Sequence, residues 1–202
     1  MIQKVLNILK VVGFFLLVAD LEAQDTLFVK KMAQQKQQLN KQAMIFLTSW
    51  ASVNVLSGSA VFISHSYEEK CFYGMNSGWG LVNLSIALPS LVSKPKTYSD
   101  ISKLTSNLRK TEKVFLLNAG LDVLYVTAGL AAMEYSKKQK TTKERELFSG
   151  FGKSVVIQGS VLLVFDGIMF QLNKNLRRKT KLKNQQPHVF VTPNRLHFIY
   201  RF

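Results

Sequence analysis

Two aspartates inside apolar stretches are the residues whose chemistry stands out in this sequence. Asp122 lies near the middle of VFLLNAGLDVLYVTAGLAAM (114–133), and Asp166 lies in a second apolar stretch, 154–172. A carboxylate is costly against lipid, so the helix face that carries one should turn toward protein or a wet cavity. Such an acid can join an internal hydrogen bond, titrate, or act in an acid/base pair.

The neighbours of each aspartate repeat at helical spacing. In four stretches, residues at helical spacing share one helix face that includes polar and small side chains. They are Trp50, Asn54 and Ser57; Asn76, Gly80, Asn83 and Ala87; Asn118, Asp122, Tyr125 and Gly129; and Gly159, Leu163, Asp166 and Phe170, with Gln158 beside them. We expect a buried polar network, or an ion or proton site, made of Asn54, Asn76, Asn83, Asn118, Asp122, Tyr125, Gln158 and Asp166. In it, Asp122 and Asp166 should face each other across the bundle.

The apolar residues are concentrated in blocks. Hydrophobic residues make up 47% of the 202 residues, yet the mean hydropathy is only +0.07. A helix of about 20 residues crosses a bilayer core of roughly 30 Å, and we predict four spans, at 43–63, 74–92, 114–133 and 154–172, within a domain at 43–172. The expected fold class is all-α, an integral membrane four-helix bundle with short amphipathic interfacial helices.

The N-terminal 1–23 segment has the features of a secretory signal peptide. Lys4 and Lys10 precede an apolar run, and Ala23 is a small residue at the expected cleavage point. Acidic residues just before Ala23 depart from the pattern, so an uncleaved anchor and a cytoplasmic amphipathic start are the alternatives. Residues 24–42, rich in Gln and Lys, predict a polar juxtamembrane helix.

The net charge of +15, from 27 basic and 12 acidic residues, indicates a partner of negative charge. The basic residues lie between and after the apolar blocks, which favours anionic lipid head groups over nucleic acid. The basic and aromatic tail, 173–202, supplies the predicted head-group ligands: Lys174, Arg177, Arg178, Lys179, Lys181 and Lys183. Its end, HVFVTPNRLHFIYRF, predicts an interfacial anchor or a short extended segment.

The connections between spans suggest no further chemistry. We read 65–73 as a solvated loop, 99–110 as a short amphipathic helix, and 134–153 as a helical extension followed by a glycine-rich turn. Cys71 is the only cysteine, so no disulfide framework or thiolate metal site is expected, and we predict no cofactor.

Two signals disagree on the membrane orientation. A cleaved signal peptide places the mature N-terminus outside the cytoplasmic membrane, and we favour that orientation. The distribution of Lys and Arg between the connections favours the opposite one, because positive residues prefer the cytoplasm.

The chain resembles an uncharacterised family of bacterial four-helix membrane proteins, a domain of unknown function common in Bacteroidetes. The resemblance is carried by MNSGWGLVNLSIA (75–87), EKVFLLNAGLDVLYVTAG (112–129) and SVVIQGSVLLVFDGIMF (154–170), and by the segment entering the first span. It implies a signal peptide and four spans, and it implies no activity.

Three functions are compatible with these residues. The first is a structural or interaction protein whose buried polar network sets the helix register, as a homo-oligomer or beside another membrane protein. The second is an oligomeric carrier or channel for ions or protons that uses Asp122 and Asp166 as titrating sites. The third, an intramembrane enzyme, lacks a nucleophile at a matching position, so we expect no catalytic residues.

Overall fold

The computed structural model describes the backbone of residues 2–184, 188–192 and 195–199 and the side chains of residues 26–182. Within these ranges the elements are α1 (Ile2–Ser57), a 3-10 helix (Gly58–Phe62), α2 (Tyr67–Val92), α3 (Ile101–Ser136), α4 (Thr142–Asn184), β1 (His188–Thr192) and β2 (Arg195–Ile199). The two strands pair antiparallel, with Val189 opposite Phe198. The predominantly helical fold expected from the sequence is confirmed. The predicted signal peptide is part of α1, and its cleavage remains a prediction.

Three helical segments among the residues with described side chains are long and apolar enough to cross a membrane. They are Thr26–Phe62, Ile101–Ser136 and Thr142–Leu182, and they contain the first, third and fourth predicted spans. α2, which contains the predicted second span, is not among them. The apolar residues of α2 are interrupted by Asn, Ser and Gly, which lower its hydropathy.

α2 begins at Tyr67, within the 65–73 segment that was predicted to be a solvated loop. Ser66 has extended backbone geometry, and its side chain accepts a hydrogen bond from the Glu69 N–H at 3.1 Å. Glu68 and Glu69 lie in the first turn, where negative charge is favoured by the helix dipole. The loop prediction for 65–73 was therefore wrong, because Ser66 and Glu69 have the spacing of a capping box and start a helix.

The helices α3 and α4 include segments that were predicted as separate. The amphipathic 99–110 segment is the beginning of α3, where Asp100 Oδ1 accepts from the Lys103 N–H at 2.8 Å. The predicted glycine-rich turn was wrong, because Gly150 and Gly152 lie inside α4. The turn falls at 137–141, where Thr141 Oγ1 accepts from the Glu144 N–H at 3.2 Å and starts α4.

Contacts between residues divide the chain into two units. The central unit comprises Gln38–Pro95 and Lys110–Leu172, and the basic unit comprises Met1–Gln37, Lys96–Arg109 and Asn173–Phe202. The central unit has an apolar cluster formed by Ala43, Phe115, Phe165 and Met169. The basic unit has its own cluster, formed by Met32, Leu104, Leu108 and Leu176. Each unit therefore has a separate core.

Candidate functional site

The amide of Gln158 is the centre of a hydrogen-bond network in the central unit. Gln158 lies on α4 and is fully buried, and its Nε2 donates to Asn54 Oδ1 at 2.5 Å and to Asn76 Oδ1 at 2.9 Å. Its Oε1 accepts from Trp50 Nε1 at 2.9 Å. Because Trp50 and Asn54 lie on α1 and Asn76 lies on α2, this single side chain connects three helices.

Two further hydrogen bonds complete the network. The buried Ser154 Oγ, one turn before Gln158 on α4, donates to Asn76 Oδ1 at 2.6 Å. Asn54 Nδ2 donates to the backbone oxygen of Trp50 at 2.8 Å, which orients the Asn54 amide oxygen toward Gln158. The amide nitrogen and oxygen of Gln158 thus both have partners, as buried polar groups require.

A second polar contact joins α3 to α4. Asp122 and Asp166 are 3% and 5% exposed, and their carboxyl groups form a hydrogen bond with each other. An ionised carboxylate only accepts hydrogen bonds, so this bond requires a proton on one of the two groups. Asp122 Oδ2 is buried and has no hydrogen-bond partner among the described residues. Such a bond would hold one proton between the two groups, and it leaves the Asp122 Oδ2 acceptor unsatisfied among the described residues.

α1 runs antiparallel to α2, because the positions facing each other run in opposite order along the two helices: Gly58, which directly follows α1, lies against Ser77, and Gly80 lies against Ala51. α3 runs antiparallel to α4 by the same criterion, with Gly129 against Gly152 and Asp122 against Gly159. The contacts Phe46–Phe165 and Trp50–Gln158 show that α1 also runs antiparallel to α4.

The helix register places other buried polar groups at about the same level along the helix axes as the Asp122–Asp166 pair. In this register, Thr48 and Asn83 fall within about one helical turn, roughly 5 Å along the axis, of the carboxyl pair. Thr48 Oγ1, Trp79 Nε1 and Asn83 Nδ2 are also buried without a hydrogen-bond partner among the described residues.

The structure brings together most, but not all, of the polar residues selected from the sequence. Tyr125 is half-buried, and its ring lies 5.1 Å from that of Trp79. Asn118 is half-buried one turn before Asp122, and neither Asn118 nor Tyr125 donates to the Gln158 network. The sequence reasoning missed Thr48 and Ser154. Ser154 could have been predicted from the sequence, because its spacing of four residues from Gln158 places both on one helix face.

Glycines allow the helices to approach closely enough for these bonds. A Cβ added at Gly80 of α2 would lie 2.7 Å from the backbone oxygen of Ala51 on α1. A Cβ at Gly129 of α3 would lie 2.8 Å from the backbone oxygen of Gly152 on α4, and one at Gly152 would lie 2.7 Å from that of Gly129. Small residues at such crossings are typical of helix packing in membranes.

An ion pair joins α2 and α4 before the predicted spans begin. Lys153 Nζ donates to the Glu68 carboxylate, and the two side chains are 49% and 30% exposed. This hydrogen bond lowers the pKa of Glu68 below its usual value, against a smaller opposing effect of burial. The contact is a surface ion pair, so its contribution to stability is small.

These contacts define a helical bundle with a polar interior. Residues 46–167 match the model of the family of unknown function DUF6992, so the chain belongs to this family. The matched region begins before Trp50 and ends just after Asp166, and it includes every member of the polar network. No curated protein and no solved structure matches the chain.

The close approach of α3 and α4 predicts opposite effects for two Gly→Ala substitutions on α3. Gly129→Ala should lower the free energy of unfolding by about 1–3 kcal/mol, since the new methyl group would overlap the α4 backbone. Gly120→Ala is the matched control, because nothing lies within 4 Å of its added Cβ, and it should be neutral or stabilising. Unfolding in detergent measures both, and equal effects would contradict the close crossing.

The Glu68–Lys153 pair predicts a small, acid-sensitive contribution to stability. A carboxyl group with a lowered folded pKa stabilises fully above its usual value of 4.5, and that stabilisation is lost as the pH falls through the folded pKa. Glu68→Gln should lower stability at neutral pH by about 0.2–1 kcal/mol. Its difference from wild type should vanish at acidic pH and shrink in high salt; a difference that persists at low pH would argue against the ion pair.

Proposed function

We propose that this chain is an integral membrane protein of the bacterial inner membrane, with a structural or interaction role and no catalytic step. The polarity of the central unit supports a membrane location. Its interior contains Asn, Gln and Asp side chains, whereas large apolar side chains such as Leu117, Leu124 and Val164 are exposed. In water this exposed surface would favour association, whereas in a bilayer it contacts lipid.

In this proposal α2, which contains the second predicted span, also crosses the membrane, so that the chain has four spans. It has 26 residues, which is long enough to cross the apolar core, and its polar side chains Asn76 and Asn83 are buried. Its outward residues include Leu81, Val82 and Ile86, which are exposed. A signal peptide at 1–23 would place the N-terminus of the mature chain outside, and this orientation belongs to the proposal.

The basic tail would bind anionic lipid head groups. Arg178, Lys179 and Lys181 are exposed on α4, while Lys174 and Arg177 are half-buried there. Lys183, the sixth predicted ligand, lies outside the described side chains. Clusters of basic residues next to a span bind the anionic membrane surface at about 1 kcal/mol per residue.

The hydrogen bonds of Gln158 to two other helices are the observation that carries the proposed role. In membranes such bonds contribute only about 0.6 kcal/mol each on average. An unsatisfied amide in a dry interior costs more than that, so any shift of register that separates Gln158 from Asn54 or Asn76 is penalised. The network therefore specifies one arrangement of the helices. A bundle held in that arrangement presents a defined outer surface to a second copy or to another membrane protein.

A double-mutant cycle on Gln158 and Asn76 tests this role. Each single change, Gln158→Leu and Asn76→Leu, should destabilise by about 1–3 kcal/mol, because each leaves a buried partner unsatisfied. The double variant should be less destabilised than the sum of the two. Thr127→Val is the control, since Thr127 is exposed and its hydroxyl bonds only to its own helix backbone. Strict additivity at Gln158 and Asn76 would contradict a register-setting network.

The carboxyl pair supports a second candidate, an oligomeric proton- or ion-coupled carrier or channel. The Asp122 and Asp166 carboxyl groups are paired, Asp122 Oδ2 has no described partner, and Asn83 lies within about one helical turn of them along the helix axes. A buried acid pair with an unsatisfied oxygen can exchange a proton or bind a small cation. Four spans in one chain are few for such a pathway, so this candidate requires several copies.

Asp166→Asn separates the two candidates. The amide introduced at position 166 has its own N–H donors, so it can donate to Asp122 even when the Asp122 carboxylate is ionised. The structural role therefore predicts that the variant folds and associates as the wild type does. The carrier predicts proton or cation flux into vesicles for the wild type and its loss in Asp166→Asn. Vesicles with a pH-sensitive dye measure the flux, with Thr127→Val as the control. We expect no flux above that of empty vesicles, and flux that disappears only in Asp166→Asn would establish the carrier instead.

A further inference from the structure

Lys36 is a buried lysine in the core of the basic unit. Its side chain is 5% exposed, and it continues the buried face of α1 formed by Val29 and Met32. Met32 packs against Leu104 and Leu108 of α3 in the apolar cluster of this unit. The neighbouring Lys30 and Lys31 on the same helix are exposed. Lys36 therefore differs from the solvated lysines around it.

No acidic group compensates this charge among the described residues. The group that acts electrostatically on the Lys36 ammonium is another lysine, Lys96, which repels it. Where its side chains are described, the basic unit has eleven lysine and arginine residues and a single acid, Asp100. Asp100 accepts from the Lys103 N–H and lies 3.8 Å from the Lys103 ammonium. A mostly buried lysine whose ammonium group is next to a like charge and has no counter-ion is unfavourable, so this arrangement favours an anion from outside the chain.

The sequence positions of the two lysines indicate the source of that anion. Lys36 stands seven residues before the predicted span that begins at Ala43, which is about 10 Å along a helix. Lys96 stands four residues after Val92, where the second predicted span ends. The polar head-group layer extends roughly 5–8 Å beyond the apolar core on each side of a bilayer. In a bilayer the backbone at these positions would lie at or just beyond this layer, and a long lysine side chain can extend its ammonium group back to the lipid phosphates.

We propose that Lys36 and Lys96 together bind the phosphate group of an anionic lipid. The ammonium groups supply up to three hydrogen-bond donors each and compensate the phosphate charge. This site is distinct from the tail residues on α4, and it goes beyond the structural role proposed above. It rests on the proposed membrane location only for the source of the phosphate.

The test compares Lys36→Met with Lys31→Met, which removes the same charge from an exposed position on the same helix. The melting temperature of the full chain in neutral detergent is followed during titration with phosphatidylglycerol, with phosphatidylcholine, or with inorganic phosphate. Saturating phosphatidylglycerol should raise the wild-type melting temperature by about 5–10 °C. Lys31→Met should show the same rise, and Lys36→Met should lose most of it.

Two further variants ensure that the result can be interpreted. Lys96→Met should reduce the rise in melting temperature caused by phosphatidylglycerol. Because Lys96 is exposed, this variant can replace Lys36→Met in the comparison if Lys36→Met does not fold. Gln158→Leu should keep the response, so a failure of the polar network is distinguishable from a failure of this site. A rise with inorganic phosphate alone would assign a free anion rather than a lipid. An absent rise, or equal losses in Lys36→Met and Lys31→Met, would overturn the proposal.

Discussion

The burial of the Gln158 amide between α1, α2 and α4 is the constraint on which the rest of the central unit depends. An amide has two donor hydrogens and an acceptor oxygen, and in a dry interior each must find a partner. Here the partners come from Asn54, Asn76 and Trp50, so three helices must hold one register and one rotation at the same time. In the proposed structural role, these polar contacts specify the arrangement of the helices, in addition to the apolar cluster of the same unit.

Close backbone approach is the condition that makes these hydrogen bonds geometrically available. Gly80 brings α2 against α1 near Ala51, and Gly129 and Gly152 bring α3 against α4. With larger residues at these crossings, the helix axes would separate and the amide and carboxyl groups would lose contact. The pairing of Asp122 with Asp166 depends on the same α3–α4 crossing, because both carboxyl groups project from short side chains.

Charge is distributed very unevenly between the two units. The central unit buries acids and amides, whereas the basic unit combines an apolar cluster with an excess of lysine and arginine. Such an excess is destabilising within a small unit, since like charges repel one another. Anionic lipids would reduce this repulsion at the surface. The effect would be largest at Lys36, because its side chain is mostly buried and therefore least screened by water.

Helical periodicity was the most informative signal in the sequence. The face of Asn76, Gly80, Asn83 and Ala87 is buried throughout, and so are Asp122 and Gly129 on α3. Local signals were also sufficient for the start of α2, where the spacing of Ser66 and Glu69 was overlooked. These features depend on residues within one or two turns of a single helix, so a linear pattern contains them.

Only the tertiary structure decided which polar groups meet. Gln158 and Asn54 are separated by 104 residues, and no spacing rule predicts that their amides bond. The glycines near residue 150 resembled a turn, but in the fold they lie inside α4 at crossings with other helices. Lys36 belongs to a polar segment that reads as solvated, yet in the fold its side chain is buried. Burial of a side chain depends on what packs against it from distant segments, and that information is absent from the local sequence.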